Sequence, residues 1–235
     1  MARLLKKKKT IVGEKMAKIS NKERDAVYKT IFARRDVRNQ FVADPISDAT
    51  LMRILTAAHH APSVGYMQPW DFIVIKDKTT KQKVKAAFDV ANDEAAELFE
   101  GERQQQYRAL KLQGIIETPI NLCITCDRSR NGPVVLGKTA APEMDLYSTV
   151  CAVQNLWLAA RAENIGVGWV SIIHEHTLKS ILTIPEHVVP VAYLCLGYVT
   201  HFLEKPELES LGWLPREKLN QHIHHDRFDK DQVID

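Results

Sequence analysis

Long apolar runs are missing from this 235-residue chain. They reach about six to eight residues, against the roughly 20 that a bilayer-spanning helix needs, so no transmembrane helix is expected. Glycine and proline are scarce, ten of each, which excludes collagen-like and low-complexity architectures. No internal repeat and no Ser/Gly/Pro-rich linker divides the sequence. Four cysteines (Cys123, Cys126, Cys151 and Cys195) are too few for a disulfide scaffold at this length, and reduced cysteines point to the cytoplasm. Charge of one sign is lacking as well, with 32 basic residues against 29 acidic ones. The imbalance that exists is local: residues 1–20 hold Arg3, Lys6, Lys7, Lys8, Lys9, Lys15 and Lys18 against Glu14, which leaves the body of the chain mildly acidic. Such a run suits a solvated, disordered tail better than a surface for nucleic acid or an anionic membrane. It does not read as a secretory signal, because no apolar segment of about 7–15 residues follows it. The patterned sequence starts near Ser20, and Met16 is a candidate alternative start.

What is present is ordinary globular composition, 45% hydrophobic and 26% charged, enough to bury the core of a single domain over residues 21–235. Ser20 and Glu23 form a capping-box pattern, with Val27, Ile31 and Phe32 following at helical spacing. Ser47 or Asp48 caps a second helix carrying Leu51, Ile54, Leu55 and Ala58, which should stop before Pro62. Residues 71–75 read as a strand. Residues 80–113 read as helix broken at Gly101, with few apolar positions after Phe99. The alternation over 119–126 predicts a buried strand, which would send Cys123 and Cys126 to opposite faces and so disfavours a metal or redox role for the C-x-x-C pair. Met144, Tyr147, Val150, Val153, Leu156, Trp157 and Ala160 mark the most apolar helix, ending at Asn164–Gly166. Strand-like stretches follow at 167–173 and 188–198. Helices first, then strands alternating with helices, predict an α+β fold with a mostly antiparallel or mixed sheet.

Three clusters carry chemical interest. Arg34, Arg35 and Arg38 surround Asp36 directly after the first helix; their forked donors suit phosphate or ring carbonyl oxygens, although a solvated charge run is the plainer reading. Residues 61–70 (Ala-Pro-Ser-Val-Gly-Tyr-Met-Gln-Pro-Trp) combine small residues, an amide and an indole that would line a planar ligand or merely pack a loop. Gly166-Val-Gly-Trp-Val-Ser171 lacks the continuation of a dinucleotide fingerprint and follows a helix, not a strand. His174 and His176 would share a face on a strand, but with no third ligand at a fixed spacing the expectation is that the chain holds no metal.

Taken in this order, the Arg-Arg-x-x-Arg, Pro-Ser…Gln-Pro-Trp and Pro-Val…Leu-Gly-Tyr motifs resemble the FMN-dependent nitroreductase family over roughly residues 21–215. Residues 34–38, 61–70, 121–128, 132–137, 142–147 and 166–171 are more closely similar to its specialised branch that makes 5,6-dimethylbenzimidazole, the lower ligand of vitamin B12. Ordinary nitroreductases usually have Ser where this chain has Asp36, and Asn where it has Tyr66. In the specialised branch, an Asp and a Ser at the positions of Asp36 and Ser171 are implicated in the chemistry.

The resemblance implies a nitroreductase-like fold with a helical lid over residues 91–118. It also implies a homodimer with flavin at the subunit interface, helix 144–160 being a candidate for much of that contact, although burial in the subunit's own core would explain its apolar pattern equally well. FMN would be bound through Arg34, Arg35, Asp36, Val37, Arg38, Ser63, Met67 and Ser171, with Asp36 and Ser171 catalytic. Reduced FMN is then a substrate that reacts with O2 and is fragmented to 5,6-dimethylbenzimidazole and erythrose 4-phosphate, NAD(P)H entering only indirectly through a flavin reductase. Two other readings compete: a conventional NAD(P)H-dependent nitro- or quinone reductase, and a flavin-binding protein without turnover. Asp36 disfavours the first, and Asp36 together with Ser171 disfavours the second.

Overall fold

Ser20 sets the start of the first helix, α1 (Asn21–Ala33), by a full capping box: the Glu23 carboxylate accepts the Ser20 backbone N–H at 2.8 Å while the Ser20 hydroxyl accepts that of Glu23. The computed structural model describes residues 18–228; the rest of the basic tail lies outside the described residues. No residue of α1 is buried, so it rides on the surface with Val27, Tyr28 and Phe32 exposed. Ser47 caps α2 (Asp48–His59) as expected, and Leu51, Ile54 and Ala58 turn inward. Then follow β1 (Trp70–Ile75), α3 (Lys78–Ala96), α4 (Gly101–Ala109), β2 (Ile120–Asp127), α5 (Met144–Ala162), β3 (Gly166–Val170), α6 (Glu175–Leu182), β4 (Val188–Gly197) and a short α7 (Glu207–Ser210).

The four strands form one antiparallel sheet in the order β1-β2-β4-β3. Its two faces carry different cores because side chains alternate along each strand. Leu122, Ile124, Leu194 and Leu196 pack on α2 and α5 with Ile54, Val153 and Leu156. Cys123, Tyr193 and Cys195 pack on the other side with Val84 and Phe88 of α3 and Leu178 of α6. The C-x-x-C pair divides as predicted: Cys123 lies in the second core, whereas Cys126 meets Thr149 of α5. Burial pushes the Cys123 thiol up to about 12, which leaves it inert at neutral pH.

Three expectations need correcting. The strand expected over 167–173 stops at Val170, because His174 takes an extended N-cap conformation and starts α6. His174 and His176 therefore do not line up on a strand; their rings stack at 5.7 Å and His174 Nε2 lies 2.6 Å from Glu94. The lid expected over 91–118 is also too long. Residues up to Ala96 belong to α3, and the chain after α4 dives into the core, where Ile115 and Thr118 are buried. There Asn121 donates to the Ile115 carbonyl (3.0 Å) and to the Tyr193 hydroxyl (2.8 Å). That satisfied buried network fixes the root of the segment.

Only the part around α4 stands apart. Its Tyr107 stacks on Phe99 at 5.0 Å, and Arg103 lies 3.5 Å above the ring of Trp213 from the C-terminal segment. Arg103 and Gln106 also donate to the carbonyls of Trp213 and Leu211, both at 3.1 Å.

Candidate functional site

After Ala33 the backbone leaves the helix at Arg34 in an extended conformation and runs beside β3. Val37 N–H donates to the Val167 carbonyl at 3.0 Å, and Asp36 forms a parallel bridge with Val167. This approach requires glycine opposite: a Cβ on Gly168 would sit 2.2 Å from the Val37 carbonyl oxygen. The sequence thus inserts the Arg34–Arg38 segment as an extra strand-like edge, and α5 locks its start. Trp157 donates its indole N–H to the Arg35 carbonyl at 3.2 Å, Arg161 donates to that of Ala33 at 3.1 Å, and the Arg34 guanidinium sits 5.0 Å from the Trp157 ring centroid.

Asp36 is held on two sides. One carboxylate oxygen accepts the Trp169 backbone N–H at 3.0 Å and the other accepts a guanidinium N–H of Arg38. Burial pushes its pKa above the usual carboxylate value, against the pull of Arg38, the Trp169 N–H and Arg34, and Glu207 of α7 adds to the rise. Ser171 follows β3 directly, two residues beyond Trp169; it is exposed and lines a cavity of about 120 Å³ with Trp169 and Tyr193. Asp36 and Ser171, 135 positions apart in the chain, are therefore both anchored to one strand.

Arg34 and Arg35 line a larger cavity, about 660 Å³, together with Lys205 and Arg216 from the C-terminal segment. That volume is in the range of small-ligand pockets. Glu204 and Glu209 share the cavity's walls with these four basic side chains; burial lowers the pKa of Arg34, and Arg35 and Arg216 push it further down, against the pull of Asp36. Arg35 Nε and Arg38 Nε are buried with no hydrogen-bond partner among the described residues, a costly arrangement in isolation, while the rest of the Arg35 guanidinium donates to the carbonyls of Phe32, Arg34 and Glu204. The excess of basic over acidic side chains around this cavity suits an anionic ligand, and the phosphate of a flavin mononucleotide would meet that requirement.

Of the other residues expected here, Val37 is 2% exposed, so its side chain belongs to the core and only its backbone faces the segment's surroundings. Ser63 and Met67 are tied into their own loop: the Ser63 hydroxyl accepts the Gln68 N–H at 3.1 Å, Met67 is buried, and Asn131 donates to the Met67 carbonyl at 2.8 Å. The sequence reading missed Lys205, Glu207 and Arg216. No local spacing announces them, since they reach the arginines only through the return of the chain after β4.

The match to a model of the nitroreductase family spans residues 31–198. A 5,6-dimethylbenzimidazole synthase of Rhodospirillum rubrum is 43% identical over 78% of this chain and 86% of the relative. One of Rhodobacter capsulatus is 36% identical over 81% of this chain and 91% of the relative. Among solved structures, an oxidised iodotyrosine deiodinase bound to FMN and 3-iodo-L-tyrosine superposes with a TM-score of 0.68 at 19% identity, covering 86% of this chain and all of that one; at this identity the likeness concerns the fold.

Proposed function

The chain belongs to the nitroreductase family, beside its 5,6-dimethylbenzimidazole synthases, and from that premise we propose that it fragments reduced FMN in the presence of O2 to 5,6-dimethylbenzimidazole and erythrose 4-phosphate. The observation that carries the reading is Asp36: a buried carboxylate, raised in pKa, fixed between Arg38 and the Trp169 N–H on the strand that leads to Ser171. A redox scaffold that only passes hydride has no need of such a group, whereas breaking carbon bonds requires protons to be moved at defined atoms.

Arg34, Arg35, Lys205 and Arg216 supply the charge to hold the phosphate. The flavin supplies the reducing electrons and the carbon skeleton. Asp36 is placed to give or take a proton, and Ser171 to hold or relay one through its hydroxyl. Reduced FMN would come from a separate flavin reductase, so NAD(P)H acts only indirectly, and the setting is the cytoplasm.

We place the functional unit as a homodimer with flavin at the interface. In support, α1 buries none of its own residues yet presents Val27, Tyr28 and Phe32, and Tyr147 and Val150 of α5 are exposed too. The test is incubation with reduced FMN and air, with products identified by mass. Wild type should yield the benzimidazole. Asp36→Asn should still bind FMN but give at least about 10²-fold less product, the lower end of general acid–base contributions, returning oxidised FMN instead. Arg34→Ala should weaken FMN binding at least about tenfold, the loss of one charge-assisted hydrogen bond. Fast NAD(P)H turnover with nitroaromatics and no benzimidazole would establish the conventional reductase in its place.

A further inference from the structure

Arg38 is gripped by two carboxylates, and only one of them belongs to the motif that the sequence displays. Its guanidinium donates to Asp36 on one side, while Glu207 Oε2 lies 3.9 Å from Arg38 Nη1 on the other. Glu207 is anchored independently: its Oε1 accepts from the Asn39 amide at 3.0 Å, and it stands at the first position of α7, immediately after Pro206. Both partners are substantially buried, the Arg38 and Glu207 side chains being 11% and 13% exposed. Glu207 Oε2 and Arg38 Nε are buried with no hydrogen-bond partner among the described residues. A carboxylate oxygen held by charge alone costs free energy that a surface glutamate would avoid by turning to solvent, yet the Asn39 amide keeps the group in place.

We propose that Glu207 is a positioning residue of this site: its carboxylate shares Arg38 with Asp36 and so sets how firmly the Arg38 guanidinium holds the Asp36 carboxylate. The inference rests on the reading of Asp36 as the proton-moving group. The charged and polar groups that face Asp36 are Arg38 on its own segment, Arg34 at the end of α1, the Trp169 N–H on β3 and Glu207 on α7. Three of these favour the ionised form. Glu207 alone opposes it, by drawing Arg38 away and by repulsion between like charges. Without Glu207, Arg38 would be the undivided partner of Asp36 and would hold it as an inert ion pair. With Glu207, the carboxylate is left able to exchange a proton. The role suits a residue outside the motif, because it tunes the reacting group without occupying the ligand's place.

The experiment reads Asp36 directly. In ¹³C-aspartate-labelled, ligand-free protein, the Asp36 side-chain carboxyl resonance is identified by its loss in Asp36→Asn and followed against pH in wild type, Glu207→Gln and Glu207→Asp. Glu207→Gln keeps shape and the Asn39 hydrogen bond but removes the charge, so the Asp36 titration should move to lower pH; Glu207→Asp keeps the charge and should titrate nearer to wild type. The limb of the product-formation pH profile that belongs to Asp36 should move to lower pH in Glu207→Gln, whichever protonation state is active. Coincident titrations in wild type and Glu207→Gln would overturn the proposal. So would the reverse ranking, with Glu207→Asp displaced and Glu207→Gln unchanged, because that marks a role of shape only. If Glu207→Gln is poorly folded, Glu207→Ala takes its place with the same expected direction. Because the titration needs no turnover, a wild type that makes no benzimidazole but shows the shift would defeat the functional reading and leave the coupling of Glu207 to Asp36 standing.

Discussion

Two carboxylates, Asp36 and Asp145, are taken out of water in opposite ways. Asp145 at the start of α5 is 1% exposed, and burial by itself would raise its pKa, but Lys138 at 2.5 Å, the Leu146 N–H and Arg128 outweigh that and hold it below the usual carboxylate range. A depressed folded-state pKa adds stability that is present above the unfolded value and fades as pH falls through the folded one. Asp145 thus clamps the 128–142 loop onto α5 at neutral pH and releases it in acid. Asp145→Asn should lower stability by about 1–3 kcal/mol, the range for removing one partner of a charge-assisted hydrogen bond, and flatten the acid limb of a melting-temperature profile. Asp36 carries the opposite sign: its raised pKa means that its ionised form costs stability at neutral pH, a cost relieved as pH falls through the folded value. Asp36→Asn should therefore melt no lower than wild type, and higher near pH 7, while losing product. Melting curves of both variants at pH 5 and pH 7 check the pair. The contrast also shows what was legible at this scale. Arg34, Arg35, Asp36 and Arg38 stood out as candidates because they lie within five consecutive positions, and Ser171 came with its own motif. Glu207 and Arg216 could not be read, since their meaning lies in contacts made across the whole length of the domain.

At the scale of elements, local rules worked wherever a terminus is determined by its own residues. The Ser20–Glu23 box, the Ser47 cap, and the turn at Asn164, whose positive φ of 57° ends α5, are local devices and fell where the pattern put them. The ends of the lid did not. Residues 110–118 carry Leu110, Leu112, Ile115 and Ile116, and several of the polar groups between and beside them are spent inside the core: Gln113 accepts the Ile115 N–H at 2.7 Å and Thr118 donates to the Asn121 side chain at 2.7 Å. Pattern alone cannot separate a polar residue that is solvated from one that is satisfied in the interior. What is left of the expected lid segment is α4 with its approaches, held by Phe99, Tyr107 and Trp213. Amide hydrogen exchange should be faster over residues 98–109 than over 112–120 in the ligand-free protein, and reduced FMN should slow the first group alone. Equal exchange in the two stretches would show that α4 is not a separate unit.

On the scale of the whole molecule, the sheet and its two cores are complete within one chain, whereas apolar residues of α1 and of the outer face of α5 are left exposed by the described residues. Sedimentation at micromolar concentration should give a species near twice 26.7 kDa, and Phe32→Glu should shift it towards the monomer without unfolding it. A wild-type monomer would remove the dimer from the account. The tie between α4 and the C-terminal segment has a consequence at the same scale. Arg103 over Trp213 joins α4 to the stretch that bears Glu207 and Arg216, so the order of one and the position of the other are not independent variables. Thermodynamic reciprocity then applies: if bound flavin raises the fraction of molecules with α4 docked, docking must tighten flavin binding by the same factor. Trp213→Ala, at a residue remote from Asp36 in sequence and outside the arginine cluster, should weaken FMN binding by the factor by which FMN fails to protect α4 from exchange in that variant.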